Sequence, residues 1–303
     1  MTKIDLHVHC APKRRDLPGQ NPYLPQANYL CDPEELVALL DDQGIAAAVL
    51  MSSGEAVGDG LAVGNTDCAA ICGRYPTRLR WMCNLDPCDP AKVHERLAAC
   101  QAAGAVGVGE LSVNQWMHSP FLSAVFAAAE DLGMPVTFHM SPEPGFNYGI
   151  CDRPGLPLLE ELLRAHPRLT VVGHSQPFWI EISADCPADA AGRNAMGRGP
   201  VVPGGRLEQL LERYPNLYCD LSAYSAFCAL TRDEAYGAAF VERFAGRLLY
   251  ATDCTNRYTV PPLGRTLVRW LAEGRISAQA AGQVFARNAA RLYAPAFETV
   301  MIE

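Results

Sequence analysis

Histidine and acidic side chains recur at the ends of short apolar segments along the whole chain. The first such segment contains the run Asp-Leu-His-Val-His, in which His7 and His9 are two residues apart. If this segment is a strand, both imidazoles point to the same face, because strand side chains alternate with a period of two. Imidazole and carboxylate groups are the usual ligands of zinc, iron and manganese ions. Four further segment ends carry candidate ligands, which are Glu110, His139, His174 and Asp253.

The combination of these residues is more specific than any one of them. A lone His-x-His pair is a weak signal, and each residue alone could be a hydrogen-bonded polar group in the protein interior. Four such groups clustered without a ligand would be costly to bury. We therefore predict a divalent metal site, most consistent with zinc and with manganese or iron as alternatives, at His7, His9, His139 and Asp253.

The other histidines are assigned no metal. His94 lies among charged residues of a predicted helix and is interpreted as solvated. His166 precedes Pro167 at a predicted helix end, where a partial positive charge is favourable, so we interpret it as structural. His118 follows Trp116 after the fourth strand and is a candidate pocket residue.

Eight apolar segments alternate with amphipathic ones and position these side chains. Predicted strands cover Lys3–His9, Ile45–Met51, Leu79–Leu85, Ala105–Leu111, Pro135–Met140, Leu169–Gly173, Asn216–Asp220 and Leu248–Thr252. Predicted helices cover Pro33–Asp42, Asn65–Arg74, Pro90–Ala102, Pro120–Leu132, Leu156–Ala165, Gly205–Arg213, Asp233–Phe244, Pro262–Glu273 and Ala278–Leu292.

Eight strand–helix repeats favour an α/β fold in which one parallel sheet closes into a (β/α)8 TIM barrel. The whole chain, residues 1–303, is then a single domain. An open doubly wound sheet is the alternative, but no Gly-x-Gly-x-x-Gly motif follows the first strand. Long loops follow strands one, five and six, and barrel loops on this side carry the active site.

Aromatic and arginine residues on these loops are candidates for substrate binding. Apolar walls are expected from Trp116, Tyr148, Phe178 and Trp179, with Phe146 and Tyr224 as further candidates. Arginines grip carboxylates through two parallel hydrogen bonds, and Arg257 is the leading candidate beside Arg153, Arg193 and Arg198. Cys10 and Cys254 follow ligand positions but point to the opposite strand face, so they are interpreted as packing residues.

The composition of the chain restricts the kinds of molecule that it is expected to bind. The chain has 303 residues, 49% of them hydrophobic, and a formal net charge of −8, which disfavours nucleic acid and anionic membranes as partners. The sequence has no apolar segment of about 20 residues and no signal-peptide pattern, so we expect a cytoplasmic protein acting on a small molecule. Twelve cysteines without a CxxC pair are interpreted as reduced. A monomer and a homodimer are both compatible with these features.

At the residues above the sequence resembles the amidohydrolase superfamily, and its amidohydrolase-2 branch in particular. The resemblance runs from Asp5-Leu-His-Val-His9 through His139, His174 and Thr252-Asp253 to Asn288-Ala-Ala-Arg-Leu292. It implies a (β/α)8 barrel with a mostly mononuclear, zinc-type site. It further implies hydrolase, lactonase, hydratase or non-oxidative decarboxylase activity on small, often carboxylated or aromatic-derived substrates.

The resemblance also implies roles for individual residues. His7, His9 and His139 would bind the metal, and Asp253 would bind it and accept a proton from water. His174 would act as a general acid or base or, in a two-metal site, as a ligand. Glu110 departs from the branch pattern and is similar to a bridging glutamate of the metal-dependent DNase branch, so it joins two metals, orients a metal ligand by a hydrogen bond, or contacts substrate. Asp220 is a candidate for orienting a ligand histidine.

Two reactions fit these residues. The leading hypothesis is a metal-dependent hydrolase that uses activated water on a small, carboxylated ester, lactone or amide. The alternative is a non-oxidative, metal-dependent decarboxylase of a small aromatic-derived carboxylic acid. A barrel that binds a small ligand without turnover is a third interpretation, and the acid/base pair of Asp253 and His174 argues against it.

Overall fold

Eight short parallel strands form the frame of the molecule. The computed structural model describes residues 1–17, 28–54, 63–294 and 296–297. Each strand overlaps a segment predicted from the sequence. In chain order the strands are β1 Lys3–Val8, β2 Ile45–Met51, β3 Leu79–Met82, β4 Val108–Leu111, β5 Val136–Ser141, β6 Val171–His174, β7 Leu217–Asp220 and β8 Leu248–Leu249.

The strands pair in chain order. Regular ladders form a three-stranded sheet, β1–β2–β3, and a second sheet that runs from β4 to β8. Isolated bridges join the edges of the two sheets, from Cys83 to Val108 and from Val8 to Cys254. Backbone hydrogen bonds cross both seams, since Cys83 N donates to Gly107 O and His9 N donates to Cys254 O, each at 2.9 Å. The architecture is the predicted α/β TIM barrel, with regular pairing interrupted at these two seams.

Helices connect the strands and begin where the sequence provides caps. Asp32 accepts a hydrogen bond from Glu35 N at 2.8 Å, and Pro33 occupies the first helical position. The helices are α1 Pro33–Asp42, α2 Asn65–Arg74, α3 Val93–Ala102, α4 Pro120–Leu132, α5 Pro157–Ala165, α6 Gln176–Trp179, α7 Ala190–Arg193, α8 Arg206–Arg213, α9 Ala223–Thr231, α10 Glu234–Phe244, α11 Leu263–Ala272, α12 Ala278–Gly282 and α13 Asn288–Leu292.

Two predicted helices are irregular, and α6, α7 and α9 lie in described segments for which no helix was predicted. The predicted helix from Pro90 begins with a 3-10 turn, Pro90–Lys92, before α3. The final predicted helix contains a π-helical turn, Gln283–Arg287, between α12 and α13. Helix α9 was not predicted, because its sequence, AYSAFCALT, has apolar residues around the whole circumference and lacks a polar stripe.

The three long loops leave the carboxyl ends of their strands. In the loop after β1, Arg15–Asp16 pairs antiparallel with Tyr29–Leu30, and residues 18–27 lie outside the described part. In the loop after β5, Ile150–Cys151 extends the sheet beside β5. The loop after β6 contains α6, a 3-10 turn and α7. These loops therefore border the end of the barrel where the candidate ligands were predicted.

Two groups of buried apolar side chains surround the strands. Inside the barrel, side chains such as Ile4, Val49 and Val172 pack with Tyr293 and Phe297 from the end of the chain. The larger group lies between the strands and the outer helices. All twelve cysteines are free thiols. Among the described residues, no helix is both long enough and apolar enough to cross a membrane.

Candidate active site

A register shift in β1 directs His7 into the barrel. Asp5 pairs with Ala48 of β2 and Val8 pairs with Leu50, so three steps along β1 match two steps along β2. The extra residue breaks the alternation of faces, because Leu6 joins the interior apolar group and His7, the next residue, also faces inward. Such bulges are common beside active sites, where they redirect a side chain. His7 is fully buried and its Nε2 lies 3.0 Å from His9 Nε2.

Strand β4 has the same irregularity at Glu110. Val108 pairs with Val136 of β5 and Leu111 pairs with Phe138, so three steps again match two. Val108 and Leu111 both pack in the outer apolar group, and Glu110 between them faces the barrel. The two bulges thus place His7 and Glu110 where their side chains meet, with His7 Nε2 3.7 Å from Glu110 Oε2.

His139 and His174 occupy equivalent positions at the ends of β5 and β6, where the two residues are register partners. His139 Nδ1 lies 2.9 Å from Glu110 Oε1, and His174 Nε2 lies 3.7 Å from the same oxygen. The other nitrogen of His174, Nδ1, is 2.9 Å from the hydroxyl oxygen of Ser222. Ser222 was not predicted. It lies two residues beyond Asp220 at the end of the seventh strand, and this period-two spacing is the signal that could have identified it.

Asp253 lies just beyond β8 in a left-handed conformation, with φ of 57°. Aspartate tolerates this region better than most residues, and strained backbone is often found at functional sites. Its backbone N donates to His7 O at 2.7 Å. Its carboxylate approaches two histidines, with Oδ1 3.0 Å from His9 Nε2 and Oδ2 3.7 Å from His174 Nε2.

The carboxylate of Asp5 accepts hydrogen bonds from the two segments that carry His7 and Asp253. Thr252 Oγ1 donates to Asp5 Oδ2 at 2.7 Å, and the backbone N of Thr252 donates to Asp5 Oδ1 at 3.0 Å. His7 N also donates to Asp5 Oδ1, at 3.1 Å. Asp5 therefore holds the segments that carry His7 and Asp253 side by side.

Asp220 fixes the tautomer of His7. Its Oδ2 accepts a hydrogen bond from His7 Nδ1 at 2.6 Å, and its Oδ1 accepts one from Ser222 N at 2.8 Å. Because the proton of neutral His7 is then on Nδ1, the lone pair of Nε2 points toward His9, Glu110 and Asp253. Asp220 thus has the orienting position considered for it from the sequence.

Buried charges set the protonation states of the acidic groups. Burial alone would raise the pKa of Glu110, but hydrogen bonds from His139 and His7 hold that pKa well below its usual range. Burial likewise opposes ionisation of Asp253 and Asp220, yet the neighbouring His7 lowers the pKa of both. These three carboxylates are therefore ionised at neutral pH. Burial has the opposite effect on His174, whose pKa it lowers, so this imidazole stays neutral.

The donor atoms converge as a cation site requires. Within the described residues, one group combines His7, His9 and Glu110, and another combines Glu110, His139 and His174, with all donor atoms of a group within 4.8 Å of one another. Lone pairs of imidazoles and ionised carboxylates that face each other repel unless a positive charge lies between them. Burial opposes a charge on His7, but the carboxylates of Asp220 and Asp253 raise the pKa of His7 well above its usual value, so a proton supplies that charge in the metal-free protein and a bound metal ion would replace it. The residues present thus fit a divalent metal ion with nitrogen and oxygen ligands.

The predicted substrate residues have diverse environments. The Tyr148 ring stacks over His139, with 4.2 Å between ring centroids, and is 61% exposed. Trp116 is partly buried, and the Arg153 guanidinium lies 5.5 Å from its ring. Arg257 is exposed and pairs with Glu35 at 3.3 Å. Tyr148 is therefore the one of these side chains that directly contacts a candidate ligand.

Two predicted wall residues require correction. Phe178 and Trp179 are 0% and 1% exposed, so they pack beneath the site and do not form walls of an open pocket. A β-carbon at Gly173 would lie 2.2 Å from the Phe178 ring, which shows how closely that ring covers β6. Trp179 Nε1 donates to Asp220 O at 3.1 Å. The prediction was wrong because aromatic residues in a glycine- and proline-rich loop do not reveal from sequence which face of the loop is buried.

Arg193 is a further correction among the candidate arginines. It is 1% exposed, and its Nη1 donates to Pro142 O and to Asp152 O, at 3.0 and 2.7 Å. These bonds tie the loop after β6 to the loop after β5. Arg193 therefore stabilises the loops and does not face a substrate.

Comparison with known proteins identifies the family. The family model described as Amidohydrolase matches residues 4–294. The chain belongs to the amidohydrolase family. As an amidohydrolase it is an enzyme, and the match covers every candidate ligand described above. A search of curated proteins found no match.

Several solved structures share the fold of this chain at low sequence identity. An uncharacterised TIM-barrel protein from Bordetella bronchiseptica is 18% identical, with a TM-score of 0.64 over 98% of this chain and 99% of its own. A probable 2-pyrone-4,6-dicarboxylic acid hydrolase from Acinetobacter baumannii is 15% identical, with a TM-score of 0.57 over 97% and 99%. A 5-carboxyvanillate decarboxylase from Sphingomonas paucimobilis is 17% identical, with a TM-score of 0.59 over 96% and 98%.

Proposed function

We propose that this amidohydrolase binds two divalent metal ions, zinc by preference, and that Glu110 contacts both. The observation that carries the proposal is the position of the Glu110 carboxylate between two pairs of histidines. Its Oε2 lies 3.7 and 3.8 Å from Nε2 of His7 and His9, and its Oε1 lies 2.9 and 3.7 Å from His139 and His174. One ion would be held by His7, His9 and Asp253, and the other by His139 and His174.

The proposed reaction is hydrolysis of a small, carboxylated ester, lactone or amide. Metal ions at such a site polarise the substrate carbonyl and lower the pKa of water toward neutrality. Asp253 is the proton acceptor in this proposal, because its carboxylate is ionised and its side chain is 26% exposed. Asp220 keeps His7 in the tautomer that leaves Nε2 free, and Ser222 orients His174.

Tyr148 completes the site on the solvent side. Its ring stacks on His139 and is largely exposed, so an incoming substrate would meet it before the histidines. An aromatic ring with a hydroxyl group presents an apolar surface together with one hydrogen-bonding atom. Tyr148 is therefore proposed to contact the substrate, with Trp116 on the neighbouring loop after β4 and Arg153 on the same loop as Tyr148.

Non-oxidative decarboxylation is the second candidate. The similarity to structures named as decarboxylases, including a 2,6-dihydroxybenzoate decarboxylase from Rhizobium, supports considering it beside the hydrolase. Both reactions need a carboxylate that exchanges a proton near the reacting carbon, and Asp253 fits either. The two reactions are distinguished by their products, because decarboxylation releases CO2 and hydrolysis of an ester or lactone releases an acid.

Metal content tests the two-ion proposal. We expect two ions per chain in protein purified without chelator, and a fall toward one in Glu110→Gln. The matched control is Glu143→Gln, because Glu143 is an exposed glutamate on the loop after β5. Elemental mass spectrometry with protein quantification gives the ratio. One ion per chain in both wild type and Glu110→Gln would refute the role of Glu110 between two metals.

Turnover tests the reaction. Carboxylated esters and lactones are to be screened by proton release, amides by release of the amine, and aromatic carboxylic acids by CO2 release. We expect Asp253→Asn to lose about 100-fold or more in turnover, the scale of removing a general base, while Asp131→Asn, an exposed control on α4, keeps full activity. CO2 release without hydrolysis would select the decarboxylase, and full activity of Asp253→Asn would contradict both reactions.

A further inference from the structure

One face of α9 borders a small void under the loop after β6. Ser225, Ala229 and Arg232 lie on this face at spacings of four and three residues, which places them on the same side of a helix. Trp179 and Met196 close the void from the loop. Ser225 is 4% exposed, so the void lies inside the protein. None of the proposed metal ligands lines it.

Three hydrogen-bond donors at this void have no acceptor. Arg232 Nε, Arg232 Nη2 and Ser225 Oγ are buried and lack a hydrogen-bond partner among the residues that the structure describes. The remaining nitrogen, Nη1, donates to the backbone oxygen of Arg198 at 3.1 Å. The guanidinium therefore turns its Nε–Nη2 edge toward the void without an acidic partner there. A buried cation in this state is unfavourable unless an anion joins it.

The backbone of Gly197 holds the guanidinium in this orientation. A β-carbon at position 197 would lie 2.7 Å from Arg232 Nη1 and 3.3 Å from Nε, so the glycine lets the guanidinium lie close against the backbone in this position. The loop after β6 thus contributes both the hydrogen-bond acceptor for Nη1 and the surface on which the guanidinium rests. The unpaired edge is fixed before any ligand arrives, which reduces the entropy cost of binding.

A larger cleft adjoins the void. The void measures about 10 Å³, which is space for one oxygen-sized group, while the cleft measures about 390 Å³. They share Ile180, Ala195, Met196, Gly197 and Arg232 in their linings. The exposed Arg198 adds a second positive charge at the cleft, opposed by Asp185 alone among its charged lining residues. This local charge contrasts with the net charge of −8 for the whole chain.

We infer that this cleft binds the carboxylate of a small organic acid, with Arg232 and Ser225 as its anchors. The Nε–Nη2 edge of an arginine offers two parallel donors at the spacing of two carboxylate oxygens. One carboxylate oxygen would occupy the void, where Ser225 supplies a third donor, and the second oxygen and the remainder of the molecule would lie in the cleft. The acid is either the substrate itself or a separate ligand. The inference depends on no metal ligand, so it stands or falls apart from the proposed reaction.

Benzoate is a suitable probe, and benzamide is its neutral counterpart. Titration calorimetry on the metal-loaded protein should show benzoate binding to wild type, at least tenfold weaker binding to Arg232→Gln, and no comparable binding of benzamide. Arg243→Gln is the matched control, since Arg243 is an exposed arginine paired with Glu212 on the protein surface. Equal benzoate affinity in wild type and Arg232→Gln would place the carboxylate at the metal centre and overturn the inference, as would no binding to wild type.

Thermal stability separates a binding role from a structural one. Without added carboxylate we expect Arg232→Gln to melt at or above the wild-type temperature, because it removes an unpaired buried charge. Benzoate should raise the melting temperature of wild type and leave that of Arg232→Gln unchanged. The site would be refuted if Arg232→Gln melted at a lower temperature than wild type and benzoate did not change the melting temperature of wild type. Arg232 would then only stabilise the backbone at Arg198.

Inhibition kinetics separate the two sources of the carboxylate once a substrate is known. Competitive inhibition by benzoate that disappears in Arg232→Gln would show that the substrate's own carboxylate uses the cleft. Noncompetitive inhibition or activation that also disappears in Arg232→Gln would show a separate ligand. Inhibition of equal strength in wild type and Arg232→Gln would contradict the proposed site.

Discussion

At the scale of single residues, the hydrogen bond between His7 and Asp220 is the contact on which the site depends most. It is 2.6 Å long, both partners are buried, and they come from the first and seventh strands. A carboxylate there can only accept, so the proton of neutral His7 stays on Nδ1. This hydrogen bond therefore selects one tautomer of His7, in which the lone pair of Nε2 faces the centre of the barrel.

Replacing Asp220 by asparagine tests this point. The amide of Asp220→Asn can turn a donor toward Nδ1 and favour the wrong tautomer, so we expect metal affinity to fall about 10- to 100-fold. Competition with a chromophoric chelator measures the affinity, and circular dichroism checks the fold. Asp131→Asn serves as the exposed control. Unchanged metal affinity in Asp220→Asn would mean that this hydrogen bond has no influence on the site.

At the scale of elements, the sequence predicted the strands that carry the site but could not predict their register. The residue types and the positions at strand ends placed His7, His139, His174 and Asp253 together correctly as neighbours. A strict period of two, however, would direct His7 and Leu6 to opposite faces, and both face inward. The bulges depend on pairing with β2 and β5, whose register partners are 42–43 and 27–28 residues away along the chain. The local sequence pattern does not show which strand a segment pairs with, or in which register.

The same limit explains the other errors at this scale. Phe178 was predicted to line a pocket because aromatic side chains in long loops often do, whereas contact with β6 buries it. Arg232 was overlooked because α9, the helix that ends just before it, lacks a polar stripe that would reveal the helix. In each case the decisive information is a packing partner distant in sequence.

The contact between β6 and Phe178 gives a stability prediction. A methyl group at position 173 would overlap the Phe178 ring, so Gly173→Ala should destabilise the protein by about 1–3 kcal/mol. Urea denaturation measures the change. Gly73→Ala is the matched control, since Gly73 lies in α2 with nothing within 4 Å of the new methyl group and should stabilise by about 0.5–1 kcal/mol. Equal stabilities for the two variants would contradict the packing described here.

At the scale of the whole molecule, Asp5 joins the two ends of the barrel. It accepts hydrogen bonds from Thr252, 247 residues away, and is completely buried. Burial raises the pKa of Asp5 to about 7, against an ordinary value of 3.8, although the bonds from Thr252 and His7 act in the opposite direction. Folded and unfolded protein therefore bind different numbers of protons between these two pH values.

The resulting pH dependence is a prediction for metal-free protein. Because the pKa is higher in the folded state, the contribution of Asp5 to stability is complete below pH 4 and is lost as the pH rises through about 7. Asp5→Asn mimics the protonated acid, so wild type should lose up to about 4 kcal/mol relative to this variant between pH 4 and 8. Chemical denaturation at several pH values measures the difference. A constant difference across this range would exclude the titration of Asp5 as its source.

The seam between β1 and β8 has a consequence for the synthesis of the chain. His7 and His9 leave the ribosome well before their partners Asp220 and Asp253, which follow after most of the barrel has been translated. Domains of this kind form their long-range contacts late and slowly. The nascent histidine pair is thus exposed before its carboxylate partners exist. We expect stable metal uptake only after translation of the last strand, so that loading of the site marks a finished barrel.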